Sequence, residues 1–74
     1  MVEYEIAMAL TKMGLLNVSW RKVGTAFEDF YAEIPIGVSL KELIVLLRQY
    51  DFYEIRFDGR DDHEIVMTRT CYTR

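Results

Sequence analysis

The sequence lacks the features that mark secreted and membrane-spanning proteins. Its single cysteine, Cys71, excludes an intramolecular disulfide, on which small secreted domains usually depend. The longest aliphatic run extends only from Leu43 to Leu47, whereas a membrane-spanning helix needs about 20 apolar residues. The first five residues carry acidic side chains where a signal peptide is basic. We therefore expect a cytoplasmic protein with no membrane segment.

A basic excess is also missing. The chain has 9 Lys and Arg against 12 Asp and Glu, a net charge of −3, which argues against a general nucleic-acid binder. The acidic residues are concentrated between positions 51 and 64, where only Arg56 and Arg60 oppose them. They are Asp51, Glu54, Asp58, Asp61, Asp62 and Glu64. This region could bind a basic surface on a partner, or it could simply keep the domain in solution.

Motifs for catalysis or cofactor binding are absent from the sequence. The glycines are isolated, so no phosphate-binding loop is present. The only histidine, His63, lies in a run with Asp61, Asp62 and Glu64 that could hold a divalent cation through oxygen ligands. However, the spacing around Gly59 does not fit a calcium-binding loop, and a solvated hairpin loop is the simpler interpretation. We expect no metal and no cofactor.

Cys71 is the remaining candidate for chemistry. It could act as a nucleophile only beside an activating cation, and His63 and Arg69 are the candidate neighbours. An unreactive thiol near the end of a strand is the more common situation. We therefore expect no enzymatic activity, and a small metal-dependent or thiol-dependent enzyme remains an alternative hypothesis.

Apolar and aromatic residues are plentiful instead. Hydrophobic residues make up 51% of the chain and aromatic residues 14%, which is too apolar for a disordered protein. A chain of 74 residues forms a single domain, so we predict one domain over residues 1–74. A chain this short cannot easily bury all of its large side chains, which favours self-association or a partner.

The clearest local signal is a helix at roughly residues 40–50. Ser39 and Glu42 have the spacing of a capping box, in which each side chain can bond the other residue's backbone N–H. The apolar residues that follow lie on one helical face: Leu40, Leu43, Ile44 and Leu47.

A first helix is predicted over residues 3–13. Ile6, Leu10 and Met13 follow helical spacing, and Gly14 is a plausible stop. The alternation of Val2, Tyr4 and Ile6 is also compatible with a strand, but we favour the helix.

Four segments show strand patterns: residues 16–23, 26–34, 52–58 and 64–72. In the segment 16–23, one face is formed by Leu16, Val18 and Trp20.

The segment 26–34 has two distinct faces. One face holds Phe30, Ala32 and Ile34, and the other holds Phe27, Asp29, Tyr31 and Glu33. In the third, the predicted inward residues are Tyr53, Ile55 and Phe57. The fourth segment is compatible with two registers. In one, the residues that face the core are Ile65, Met67 and Cys71, and Arg69 lies among them although it is charged. In the other, the residues that face the core are Val66, Thr68, Thr70 and Tyr72.

The order α-β-β-α-β-β predicts an α+β fold in which two helices cover one face of a four-stranded antiparallel sheet. Residues 3–34 and 39–72 could be two copies of one αββ unit, although their residues match only weakly. The other face of the sheet would remain uncovered.

From this surface we hypothesise a non-catalytic protein-binding or regulatory module. Aromatic residues and arginine dominate the energetics of interfaces, and we select as candidate partner-binding residues Trp20, Phe27, Tyr31, Tyr53, Arg56, Asp58, Asp61 and Asp62. The partner could be a second copy in a homodimer. It could also be a larger protein whose basic site this chain inhibits.

Nucleic-acid binding is the main alternative. Trp20 with Arg21 and Lys22, together with Phe27 and Tyr31, has the composition of a stacking platform for single strands. Acidic residues on the same hairpin would repel phosphates, and Trp20 fits a core position better.

Overall fold

The computed structural model describes residues 2–58 and 63–71. The elements are α1 (Val2–Met13), β1 (Leu16–Val23), β2 (Phe27–Glu33), α2 (Leu40–Gln49), β3 (Phe52–Phe57) and β4 (Glu64–Thr70). All six predicted elements are confirmed, with ends that differ by two residues at most. Neither helix of the described chain is long and apolar enough to cross a membrane.

The strands form one antiparallel sheet in the order β1-β2-β4-β3. Helix α1 packs against β1 and α2 against β3, so the predicted α+β fold is confirmed. The core lies between the helices and the sheet, and its largest fully buried residues include Ile6, Leu10, Phe30, Leu43 and Met67. We call the sheet surface under the helices the inner face and the opposite surface the outer face.

The first segment is a helix and not a strand. Ile6 and Leu10 are buried, which orients one stripe of α1 toward the core. Gly14 follows the helix with φ = 115°, a conformation that glycine adopts without a steric penalty. The Leu15 backbone N–H then donates to the Leu10 carbonyl at 3.1 Å and closes the helix end.

Helix α2 begins with one of the two hydrogen bonds that the capping box predicts. The Glu42 backbone N–H donates to the Ser39 hydroxyl at 3.2 Å. Leu43 and Leu47 are buried, whereas Leu40 is exposed. At the other end, burial together with the charge and hydrogen bond of Glu5 raises the pKa of Tyr50, so the start of α1 interacts with the end of α2.

The prediction for the third strand is partly wrong. A bulge between Phe52 and Glu54 changes the alternation at the start of β3. Phe52 is buried under the helices, and Tyr53 is 61% exposed and contacts Phe27 on the outer face. Ile55 is half-buried against the core, and Phe57 lies mostly exposed at the end of the strand.

The register of the last strand is the first of the two alternatives. Ile65, Met67 and Arg69 of β4 face the helices. Arg69 is accommodated there because its Nη1 lies 2.7 Å from an Oε of the fully buried Glu28 on β2. Its Nε also donates to the Tyr50 carbonyl at 2.8 Å, which connects the sheet to the end of α2.

The two halves have the same order of elements, and their second strands, β2 and β4, pair with each other at the centre of the sheet. The first strand of each half carries a bulge near its start. Equivalent buried residues lie 37 positions apart, as the numbering shows for Ile6 and Leu43, for Leu10 and Leu47, and for the cross-strand pair Phe30 and Met67. The sequence hypothesis of two αββ units therefore corresponds to a real repeat of structure.

Candidate protein-binding face

No helix of the described chain covers the outer face, which presents four rows of side chains across the strands. The aromatic row contains Val23, Phe27, Thr70 and Tyr53. The polar row contains Arg21, Asp29, Thr68 and Glu54. The mixed row contains Ser19, Tyr31, Val66 and Arg56. The acidic row contains Glu33, Glu64 and Asp58, with Asn17 beside Glu33 and the exposed Leu16 opposite it. The face is therefore apolar at one end and negatively charged at the other. The sequence pattern placed Leu16 on one face with Val18 and Trp20, which is wrong because the bulge that follows Leu16 interrupts the alternation of β1.

The aromatic row brings together two predicted anchors from distant parts of the chain. The rings of Phe27 and Tyr53 lie 6.0 Å apart at an interplanar angle of 64°, an edge-to-face arrangement typical of aromatic pairs. Phe27 is 40% exposed. The bulge in β3 makes this contact possible because it places Tyr53 on the outer face.

A chain of hydrogen bonds holds Arg56 in place. Its Nη1 donates to a Glu54 Oε at 2.8 Å and to the Thr68 hydroxyl at 3.4 Å. The Thr68 hydroxyl donates in turn to an Asp29 Oδ at 2.6 Å. Thr68 and Asp29 are buried although no helix lies over them, because neighbouring side chains cover them. These contacts give the half-exposed guanidinium a preferred position before any partner binds.

The acidic row borders a cavity of about 390 Å³ at the opposite end of the face. Glu33, Asp58, Glu64, Tyr31 and Asn17 are among its lining residues. The Asn17 side-chain amide donates to Glu33. His63 lies at the margin of this end, with its Nε2 4.0 Å from a Glu33 Oε. Within the described chain, no lysine or arginine forms an ion pair with these three carboxylates.

Trp20 lies on the opposite side of the sheet from the other aromatic candidates. Its ring stacks on Phe30 with the centroids 5.8 Å apart and meets the edge of Tyr4 at 5.2 Å. It is half-buried against the core. The core position that the sequence favoured is therefore the observed one, and Trp20 does not contribute to the outer face.

The remaining candidates lie at the acidic end or outside the described residues. Asp58 is exposed and follows β3, where its backbone N–H donates to the Glu64 carbonyl at 2.8 Å. Asp61 and Asp62 lie outside the described residues. Of the predicted site residues, the structure thus brings together Phe27 and Tyr53, and it adds Tyr31, Arg56 and Asp58 to the same face.

The structure divides the residues of the predicted nucleic-acid stacking platform between the two faces of the sheet. Trp20 and Lys22 belong to the inner side of the β1–β2 hairpin, whereas Phe27, Tyr31 and Arg21 belong to the outer side. The aromatic rings and the cations that the sequence combined are thus divided between two surfaces.

The candidates for catalysis are also separated. His63 precedes β4 and Cys71 follows it, so the length of the strand lies between them. Arg69 is engaged by Glu28 and Tyr50. Within residues 2–58 and 63–71, no group of three His, Cys, Asp or Glu side chains could hold a metal ion. Asp61 and Asp62, which the metal hypothesis also used, are outside this set.

Two polar pairs between the central strands were not predicted from the sequence. They are Asp29 with Thr68 and Glu28 with Arg69, and each joins β2 to β4. The β2 pattern correctly placed Asp29 on the face with Phe27. The partner on β4 depends on a register between strands that are far apart in the chain, and no local pattern specifies it.

Comparison of the chain with family models, curated proteins and solved structures finds no match.

Proposed function

We propose that this chain is a non-catalytic protein-binding module that regulates its partner, and that it binds through the outer face of the sheet. One observation carries the proposal: an uncovered face combines the exposed Phe27–Tyr53 pair with an arginine that is already held in place. Aromatic and arginine side chains contribute most to interface energy, and fixing them in advance reduces the entropy lost on binding. A reducing, cytoplasmic setting belongs to the proposal because the chain has one cysteine.

The sheet edges are less suited to binding than the face. Strand β1, at one edge, carries a bulge near Leu16 together with Arg21 and Lys22. Strand β3, at the other edge, carries the bulge at Phe52 and Glu54. Bulges and charged residues are the features by which natural proteins prevent edge-to-edge pairing. The proposal therefore places the partner on the face and not on an edge.

The test uses the wild-type chain and two purified double variants as immobilised baits in an extract of the source cells, and it compares how much partner each bait recovers. Phe27→Ser with Tyr53→Ser removes the aromatic pair, and we expect the recovery of the specific partner to fall at least tenfold. Met8→Ser with Val45→Ser is the matched control, because both residues are exposed on the helices and away from the outer face.

The control should retain the partner. Circular dichroism must show the same fold for all three proteins before their capture is compared. The proposal is wrong if both double variants recover the partner as well as the wild type does. It is also wrong if only the helix variant loses it, since the binding surface would then lie on the helices.

A further inference from the structure

From the polarity of the outer face we infer the chemistry of its partner: a protein segment with an apolar side chain at one end and Lys or Arg side chains at the other. This inference rests on the proposed function. Phe27 and Glu33 begin and end β2, six residues apart, so the aromatic and acidic rows are separated by roughly 20 Å. A partner that fills both ends must present its apolar and basic groups at a similar separation.

The acidic row favours a basic partner because no Lys or Arg side chain of the described residues pairs with its carboxylates, and only Glu33 has side-chain contacts, with Asn17 and His63. Glu33, Glu64 and Asp58 border one cavity, and Arg56, in the neighbouring row, is bound to Glu54 and Thr68. An apolar partner would remove carboxylates from water without compensation, which is costly. Lys and Arg side chains supply the opposite charge, and their hydrocarbon stems can lie along Tyr31.

A second copy of the chain fits this face poorly. Two sheets stacked face to face are related by a two-fold axis that lies between them. If the axis runs along the strands, the acidic row of one copy lies over the acidic row of the other, and the carboxylates repel. If the axis runs across the strands, the acidic row lies over Phe27 and Tyr53 and is left without a counter-charge. A different, basic molecule is therefore the favoured occupant.

The test uses a defined synthetic peptide and the isotopically labelled protein. An extended peptide of about eight residues spans the face. The first probe has phenylalanine at one end and two lysines at the other, separated by serine and threonine. In the second, glutamates replace the lysines. In the third, serine replaces the phenylalanine. Amide chemical shifts of the protein are followed to millimolar peptide, in 50 mM and in 500 mM salt.

We expect the first peptide to shift the amides of Phe27, Tyr53, Glu33 and Glu64 together. Replacing its lysines with glutamates should lower the affinity roughly tenfold. Raising the salt from 50 mM to 500 mM should also lower the affinity for the lysine peptide. Removing the phenylalanine should abolish the shifts at the aromatic row.

Matched variants identify the acidic row as the cause. The double variant Glu33→Gln with Glu64→Gln should bind the lysine peptide with roughly fivefold lower affinity than the wild type does. Glu3→Gln with Glu42→Gln removes the same charge from the helices and should leave its affinity unchanged. The inference is overturned if the two double variants bind alike.

Other outcomes also decide the question. If the lysine and glutamate peptides bind equally well at the aromatic row, the inference of a basic partner is overturned, whereas the proposed function is supported. Shifts confined to the helices, or no shifts with any peptide, overturn the inference. Outer-face shifts that appear on concentrating the protein without peptide would make a second copy the occupant and overturn it too.

Discussion

At the scale of single residues, the ion pair between Glu28 and Arg69 is the most constrained interaction in the core. Glu28 is 0% exposed, and one of its carboxylate oxygens has no partner in the described structure. Arg69 donates to Glu28 and to the Tyr50 carbonyl and lies 5.9 Å from the centre of the Phe52 ring. Each charge compensates the other at a buried position, so neither is tolerated alone.

We predict that Arg69→Met lowers the free energy of unfolding by about 3–5 kcal/mol, because it leaves the Glu28 carboxylate buried without a counter-charge. The double variant Glu28→Leu with Arg69→Met should recover most of this loss, since two packed apolar side chains replace the pair. Urea denaturation followed by circular dichroism measures both values. A double variant that is no more stable than Arg69→Met would contradict the uncompensated Glu28 charge as the cause of the loss.

At the scale of elements, the start of α2 depends on a single hydroxyl. The Ser39 hydroxyl accepts the Glu42 backbone N–H, one of the helix donors that have no partner within the helix. We predict that Ser39→Ala lowers the free energy of unfolding by about 1 kcal/mol, whereas Ser39→Gly costs only a few tenths. Thermal unfolding of the two variants distinguishes them. Equal losses would mean that the hydroxyl does not act as a cap.

The interaction between the two helices predicts a dependence on alkaline pH. Burial first, and then the charge and hydrogen bond of Glu5, raise the pKa of Tyr50 above the usual 10.0, so the folded state favours the neutral phenol. The unfolded chain loses this proton at a lower pH than the folded chain does. The contribution of Tyr50 to stability is therefore complete below pH 10 and is lost as the pH rises through the folded pKa.

Tyr50→Phe should show a shallower decrease in stability above pH 10 than the wild type, because phenylalanine does not titrate. Urea midpoints at several pH values from 7 to 11 measure this difference. Tyr53→Phe, which removes a phenol on the outer face away from Glu5, is the control for the loss of a tyrosine hydroxyl. Parallel curves for Tyr50→Phe and the wild type would contradict the assignment.

At the scale of the whole molecule, the two αββ halves share one core. The central strands β2 and β4 pair along their full length, and Phe30 of the first half faces Met67 of the second across that pairing. Residues from both helices belong to the same buried cluster. We therefore expect a single cooperative unfolding transition over residues 1–74.

A substitution in the second half should accordingly be detected by a probe in the first. Trp20 is the only tryptophan, and its fluorescence reports on β1. We predict that Leu47→Ala in α2 lowers the unfolding free energy measured by Trp20 fluorescence by about 2–5 kcal/mol, because it opens a cavity in the core. Val45→Ala, at an exposed position, should change it by less than about 0.5 kcal/mol. A fluorescence transition that Leu47→Ala leaves unchanged would show two independent halves.

Local patterns predicted the elements well for reasons that the structure makes clear. The Ser39 cap and the Leu43–Leu47 spacing act within one or two helical turns, and the alternation that placed Phe27 and Tyr31 on one face acts within one strand. The prediction for Tyr53 failed because the bulge at the start of β3 inserts a residue into the alternation. Without strand neighbours, the sequence gives no signal of that insertion.

By itself, the sequence determined the order of the elements, the helical stripes and the division of β2 into a core side and an exposed side. These properties depend on backbone hydrogen bonds and side-chain periodicity over a few residues. Only the tertiary structure decided that β2 lies beside β4, that Arg69 meets Glu28 and that Phe27 meets Tyr53. Such contacts join positions as far as 41 residues apart, and they form only where strand pairing and burial of the whole core are satisfied together.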